Sequence, residues 1–332
     1  HYAEKMKNYY CNIDLSNKYE IREGINLLKG FVFDKVQLIK KANCNHHSVK
    51  IVLISVMRDE KNRINVFLNH YRDLGIKLFV IIDNASKDGT LEILKEQEDV
   101  EVYSVESKFA VGRKEGWINR MFCIYGYNRW YLYVDADELL DWPQRERYNL
   151  YDVLNILEKN KINRAGALMI DMYTKKKLFH FKFDNFRLTD FYFDYNKYYL
   201  IKDGNKHLYT GGPRKRIFDI ECWLSKYPLF YLNKEDIYIS SHYLYPYHNF
   251  KQFPFIFALL HFKFLTGEDL KKVMDYVKER NHTNNSMEYK HYLKNYLNRN
   301  NKFYDERFSI RYQSSSSLSK IKCIKNIIED FG

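Results

Sequence analysis

Cysteine is sparse and unpatterned in this 332-residue chain. Cys11, Cys44, Cys123, Cys222 and Cys323 are scattered, odd in number and without CxxC spacing. That excludes a disulfide framework and a structural zinc site, and points to a reducing compartment. Long hydrophobic runs are missing as well. A membrane-spanning helix needs about eighteen or more consecutive apolar residues, and the best stretch, around Phe253 to Leu260, falls far short. No signal-peptide pattern is present, so a cytoplasmic location is expected; the chain starts at His1 and not at Met, which leaves an upstream segment open. Compact Lys/Arg runs and basic-zipper patterns are absent too, so nucleic acid is not an expected partner despite a net charge of +12. Glycine and proline are few, at 13 and 5 residues, while the 45% hydrophobic share suits an ordinary globular protein with one large or two modest domains.

Aromatic residues reach 17%, with 30 Tyr and 23 Phe. A bias this general supplies aromatic platforms by accident, so no single ring counts as a binding signal. The positive charge is uneven: from Lys251 onward there are 15 Lys and Arg against 9 Asp and Glu. A basic surface of that kind can serve phosphorylated substrates or anionic lipid head groups.

Residues 1–48 are polar and mixed, with one ordered piece expected between Ile25 and Ile39, and read as an N-terminal extension packing on the main domain, or as the tail of an upstream region. From Val49 the pattern sharpens. Strands are expected at 50–56, 77–82, 100–105 and 130–134, and helices at 62–74, 91–97 and 117–125, the first closed by Gly75. Strand and helix alternating in steps of about twenty-five residues imply βαβ units and a mostly parallel sheet. Beyond Pro143 a helix is expected at 151–159 and a strand at 165–170, then strands and loops over a cleft from Lys175 to Asp203. Helices are expected at 255–265, 270–280 and 286–297, with a last amphipathic piece at 318–328. The organisation is an extension (1–48), an α/β domain (49–250, divided at residue 142) and a basic helical region (251–332).

In parallel sheets, ligands sit beyond the carboxyl ends of the strands. Three polar clusters fall there: Arg58-Asp59-Glu60, Asp83-Asn84 and Asp135-Ala136-Asp137. Alternation along a strand would point Asp135 and Asp137 the same way, roughly 6–7 Å apart. Two hard oxygen donors at such a position suit one divalent cation and the phosphate it holds. The blander possibilities are a polar turn at Asp135–Asp137 and plain turn and cap chemistry at Asp83 to Thr90.

The segments Ser55-Val-Met-Arg58-Asp59-Glu60, Ile82-Asp83-Asn84-Ala-Ser86-Lys-Asp88-Gly89-Thr90 and Trp130-Tyr-Leu-Tyr-Val-Asp135-Ala136-Asp137-Glu138 stand in order at fitting spacing. Together they resemble the nucleotide-sugar glycosyltransferases of the GT-A fold, family 2-like, of the bacterial surface-polysaccharide type. The match is good from about Lys50 to Trp142 and looser through Gly211-Gly-Pro-Arg214 and His242 to Lys263. The resemblance implies a Rossmann-like, mostly parallel sheet flanked by helices, with a C-terminal helical extension. It implies that Asp83, with Asn84 beside it, receives the nucleotide base, usually uracil. Val56, Arg58 and Glu60 would line the base and ribose pocket, and Asn119 and Arg120 would lie near the donor. Asp137 would ligate Mn²⁺ or Mg²⁺, and Asp135, with Ala136 between them, would hold the ribose or a metal-bound water. Family members often add a histidine ligand, for which His242 and His261 are the candidates. Arg214, Arg216 and Lys263 are candidates for the diphosphate. An inverting transfer needs a general base, for which Glu221 and Asp219 are preferred to Asp171.

The expected partners are a nucleotide-sugar donor and a glycan or lipid-linked glycan acceptor, with peripheral inner-membrane contact through the basic C-terminal region. Two rival classes differ in what they require. A nucleotidyltransferase of related fold needs a Gly-rich triphosphate loop early in the chain, and residues 55–62 contain no glycine. A non-catalytic carbohydrate- or nucleic-acid-binding protein would use the acidic cluster only structurally.

Overall fold

A computed structural model describes residues 2–14, 16–203, 206–246, 254–279, 289–294, 302–326 and 329. In chain order the elements open with α1 (Tyr2–Cys11), α2 (Lys18–Leu28), a π-helical turn Lys29–Phe33 and β1 (Gln37–Lys40). Next come β2 (Ile51–Met57), α3 (Ile64–Asp73), β3 (Phe79–Asp83), α4 (Thr90–Glu96), β4 (Val100–Ser104), α5 (Arg113–Tyr125) and β5 (Arg129–Tyr133). Then follow β6 (Glu138–Asp141), α6 (Leu150–Lys159), β7 (Arg164–Asp171), β8 (Tyr192–Asp194), β9 (Tyr198–Asp203), β10 (Lys206–Gly211) and α7 (Gly212–Phe218). The chain ends with β11 (Ser225–Leu232), β12 (Ile237–Ser240), β13 (Tyr243–Tyr245), β14 (Phe255–His261), α8 (Gly267–Glu279) and β15 (Ser309–Arg311).

These elements divide into two compact units: His1–Ala136 with Lys161–Ala165 and Lys226–Phe253, and Asp137–Asn160 with Gly166–Ser225 and Pro254–Gly332. In the first unit the strands run in the order β1-β4-β3-β2-β5-β11. The three central pairings are parallel and the outer one at each end is antiparallel. This is the α/β, mostly parallel architecture expected of the alternating pattern. β2 and β3 are buried almost throughout, because their β-branched residues face helices on both sides. Val52, Ile54, Val80 and Ile82 pack with Trp117, Ile118, Met121 and Phe122 of α5. Asn119 buries its amide against β12, accepting from the Tyr238 N–H at 3.0 Å and donating to the Tyr238 carbonyl at 2.6 Å.

The N-terminal segment holds more order than the single piece expected there. Its two helices precede β1, which joins the sheet edge beside β4. Glycines let α2 approach α5 backbone to backbone. A Cβ at Gly30 would collide with the Arg113 carbonyl, one at Gly112 with the Glu23 carbonyl, and one at Gly116 with the Leu27 carbonyl. Gly112, at φ +85°, also starts α5, and its N–H donates to Glu115 Oε2 at 2.8 Å.

In the second unit β14 lies between β7, parallel to it, and β6, antiparallel. Residues 255–261 therefore form a strand, which corrects the helix expected over 255–265. A short, uniformly apolar run carries no periodicity to separate buried strand from buried helix. Here the run is buried along its whole length between two neighbours, the setting of a central strand. The helix expected at 270–280 is present as α8. Of the one expected at 286–297, residues 289–294 are helical and the rest lie outside the described residues. At the amphipathic piece expected over 318–328, a 3₁₀ turn spans Ser315–Lys320, and residues 327–328 lie outside the described residues. Phe218, Phe264, Val273, Tyr292 and Phe303 build this unit's aromatic cluster.

The glycine-mediated contact sets a stability test. Gly116→Ala should lower stability by about 1–3 kcal/mol, as overpacking of a filled contact does, and shift the urea midpoint down. Gly267→Ala, where an added Cβ meets nothing within 4 Å, should leave the midpoint unchanged or raised.

Candidate functional site

At the carboxyl ends of β2 and β3, two loops of the first unit are stitched to each other. The Asp59 N–H donates to Ser86 Oγ at 2.9 Å, the Lys87 N–H to Asp59 Oδ1 at 2.7 Å, the Glu60 N–H to Thr90 Oγ1 at 2.7 Å and the Lys61 N–H to Asp88 Oδ2 at 2.9 Å. Asp59 and Ala85 adopt left-handed backbone here, at φ 55° and 54°. These bonds hold Asp83, the last residue of β3, in place. Its Oδ2 accepts from the Ser86 N–H at 3.1 Å, while its buried Oδ1 has no donor among the described residues. Burial pushes the Asp83 carboxyl above its ordinary pKa, against the lowering effect of Ser86. Asn84 donates both amide hydrogens to the Val105 and Ser107 carbonyls at 2.9 Å, which turns its own buried Oδ1 away from protein donors. Two adjacent buried acceptors are thus left without a partner among the described residues, an arrangement that costs free energy.

The other expected donor-side residues of this unit take more varied positions. Val56 is half-buried near the end of β2, Glu60 pairs with Arg63 at 3.1 Å, and Arg58 is half exposed beside Asp59. Asn119 and Arg120 serve the fold, Asn119 through Tyr238 and Arg120 by donating to the Asp34 carbonyl at 2.8 Å.

β5 ends at Tyr133, and Ala136 and Asp137 form a turn, so the acidic motif is not one continuous strand. Strand alternation therefore does not set the directions of Asp135 and Asp137. Asp135 instead accepts from Lys226 Nζ at 2.9 Å, Tyr133 Oη at 2.8 Å and Lys114 Nζ at 3.5 Å. No local pattern marks Lys114 or Lys226 as partners of this carboxylate; Lys226 comes from β11, 91 residues away.

The second unit assembles a different group. In the strand register His261 stands opposite Glu138 on β6 and opposite Asp171 on β7. The Phe262 N–H donates to the Asp137 carbonyl at 2.8 Å and anchors the start of β6 beside β14. Among the described residues, Asp137, Glu138 and His261 are the acidic and imidazole side chains whose ligand atoms fall within 4.8 Å of one another. His261 Nε2 lies 3.4 Å from Asp137 Oδ2, and its Nδ1 lies 2.7 Å from Asp171 Oδ1. The other Asp171 oxygen accepts from Arg214 Nε at 2.7 Å. Burial opposes charge on His261, yet the carboxylates of Asp137 and Asp171 outweigh it and raise its pKa. Burial likewise works against the Asp171 carboxylate, but the Arg214 charge and the His261 bond hold it below its ordinary value. A histidine whose second ring nitrogen is fixed by a carboxylate is the usual form of a metal-binding imidazole. Two carboxylates and an imidazole form a donor set suited to a first-row divalent cation.

The remaining expected site residues are placed as follows. His261 belongs to this group, whereas Asp135 and His242 do not; His242 sits in the turn between β12 and β13. Glu138, quoted above within the acidic segment without a role, is the third member, and it is buried. Arg214 is buried on Asp171, Arg216 pairs with Asp194 at 2.9 Å, and the Lys263 ammonium lies over the Tyr289 ring at 4.5 Å. Asp219 and Glu221 are exposed at the end of α7, 2.7 and 3.4 Å from Lys215 Nζ.

No known family model and no curated protein matches the chain in sequence. Among solved structures it is similar to S. aureus TarS at 19% identity, over 36% of this chain and 21% of that one, with a TM-score of 0.28. For S. aureus TarS 1–349 the identity is 17%, the coverage 45% of each chain and the TM-score 0.29. A UDP-glucose pyrophosphorylase complexed with UDP-glucose is 10% identical over 83% of this chain and 97% of that one, with a TM-score of 0.29. The match spans about a fifth of TarS and under half of its 1–349 portion. At these scores the likenesses assign no family.

Proposed function

We propose that this chain is a metal-dependent glycosyltransferase that moves a sugar from a UDP-sugar to a hydroxyl of a bacterial surface glycan, with inversion at the anomeric carbon. The observation that carries the reading is the Asp137–Glu138–His261 group, with His261 oriented from behind by Asp171. Its donor set fits Mn²⁺, and its two carboxylates also fit Mg²⁺. When bound, the cation would neutralise charge on the departing diphosphate.

The chain's own residues have separate tasks in this reaction. Asp83 accepts the imide N–H of uracil on its partnerless Oδ1, and Asn84 offers a second acceptor. The backbone at Val56 and the side chains of Arg58 and Glu60 line the base and ribose. Asp135, bonded to Lys226 and Lys114, accepts a ribose hydroxyl. Asp171 holds the His261 ring with Nε2 facing Asp137. With one oxygen on the His261 ring and the other on Arg214, Asp171 has a positioning role. For the acceptor-side base the exposed carboxylates of Asp219 and Glu221 are preferred.

Calorimetric titration with UDP, with and without Mn²⁺, tests the assignment. Mn²⁺ should tighten UDP binding, and Asp137→Ala or His261→Ala should remove that gain while leaving metal-free UDP binding intact. UDP affinity indifferent to Mn²⁺, or a gain that survives Asp137→Ala, would overturn the reading. A second expectation separates nucleotide from metal: Asp83→Ala should weaken UDP about ten- to a hundredfold under both conditions, as loss of a bond to a charged acceptor does. Asp171→Asn should weaken Mn²⁺ itself by about 10–100-fold, the usual effect of removing a carboxylate behind a ligand histidine.

A further inference from the structure

Another face of the first unit, unrelated to those carboxylates, presents apolar side chains to water. Eleven large hydrophobic side chains are exposed among the described residues, and six of them fall within a short stretch: Ile25, Leu28, Val32, Phe33, Leu38 and Ile39. Phe33 is the extreme, at 74% exposure. This is not a loose tail. Leu27 is buried, and the glycine contacts with α5 hold the inner side of the helix at backbone distance. Arg113 forks onto Asp34 at 2.5 and 2.6 Å, and the Trp117 indole N–H donates to the same carboxylate at 2.7 Å. With the inner side fixed, the outward side is fixed too.

At 3.6 residues per turn, Lys18, Arg22, Ile25 and Leu28 share the outward side of α2, and Lys29, Val32 and Phe33 of the π-helical turn that follows are exposed. Glu20 and Glu23 project from the opposite half of the helix. Lys18, Arg22 and Lys29 are exposed, as are Lys35 and Lys41 just beyond the π-helical turn. Apolar side chains interleaved with cations, and no acid among them, complement an anionic lipid surface: the chains enter the acyl boundary while the cations meet phosphate head groups. A protein pocket for the same apolar stripe would have to bury those cations or pair them.

We propose that this outward face of α2 and the π-helical turn docks the protein on an anionic lipid bilayer, with the helix lying in the plane of the interface. Ile25, Leu28, Val32 and Phe33 enter the membrane, and Arg22 and Lys29 contact head groups. The contact was expected at the basic C-terminal region, where Met274 is the one large hydrophobic exposed among the described residues.

Flotation of the full chain with phosphatidylcholine vesicles, with and without phosphatidylglycerol, tests this without reference to catalysis. The chain should float with the phosphatidylglycerol vesicles and not with phosphatidylcholine alone, and added salt should weaken the association. Val32→Glu with Phe33→Glu should cut binding about tenfold or more, and Arg22→Glu with Lys29→Glu should do the same. All four residues are exposed, so both variants should keep the parent's circular dichroism and melting temperature. Absence of flotation, or equal flotation of folded variants, overturns the proposal. So does a dimer, seen by light scattering, that becomes a monomer in Val32→Glu with Phe33→Glu: the face would then be a contact between copies of this chain.

Discussion

Strand register is the constraint on which the chemistry of the second unit rests. Side chains alternate with a period of two, so a one-residue slip of β14 would turn His261 to the other face of its strand and away from Glu138 and Asp171. Nothing local prevents that slip, because β14 is apolar on both faces. The polar ends prevent it. Bonds from the Phe262 N–H to the Asp137 carbonyl and from the Met172 N–H to the His261 carbonyl lock both sides of the strand at the level of the imidazole. A slipped β14 would also take the His261 ring from the buried Asp171 carboxylate, leaving one of its oxygens without that partner. The group that orients the imidazole thus also helps to specify the fold.

Buried carboxylates elsewhere show what a purely structural acid looks like in this chain. Asp34 is held by Arg113 and Trp117, Asp141 by Arg145 and Tyr312, and Asp194 by Arg216 and Tyr173. Each receives a guanidinium and a neutral donor, and each ties together segments distant in sequence. Asp83 departs from this habit: it is equally buried, has no guanidinium, and keeps one oxygen without a donor among the described residues. Beside those three aspartates, the half-served Asp83 is the one to which the proposed function gives the nucleotide base.

The first half of the fold was readable because its strands are β-branched runs separated by helices with a clear apolar period, and its polar clusters fall where such strands end. Asp83 and Asn84 were visible for that reason. The second half was less readable where structure depends on distant pairing. His261 sits on a strand that no periodicity distinguishes from a helix, and its bond to Asp171 spans 90 residues. Glu138 was quoted within the acidic motif, yet its proximity to His261 exists only once β6 and β14 pair. The attachment of Lys226 to Asp135 is equally invisible, since a single lysine on an apolar strand carries no local signal. Asp219 and Glu221 were singled out by their place after a Gly-Gly segment, and the structure shows that segment starting α7 with the two acids exposed at its far end.

The glycine contact between α2 and α5 has a consequence for shortening the protein. Residues 1–48 read in sequence as a polar N-terminal extension, and a chain trimmed to start at Val49 would keep the whole alternating pattern. It would nevertheless strip the cover from the glycine face of α5, leave Arg113 and Trp117 without Asp34, and turn β4 into an open edge able to pair with other chains. The extension is a wall of the domain it precedes, and removing it would trade a tidier boundary for an aggregation-prone one.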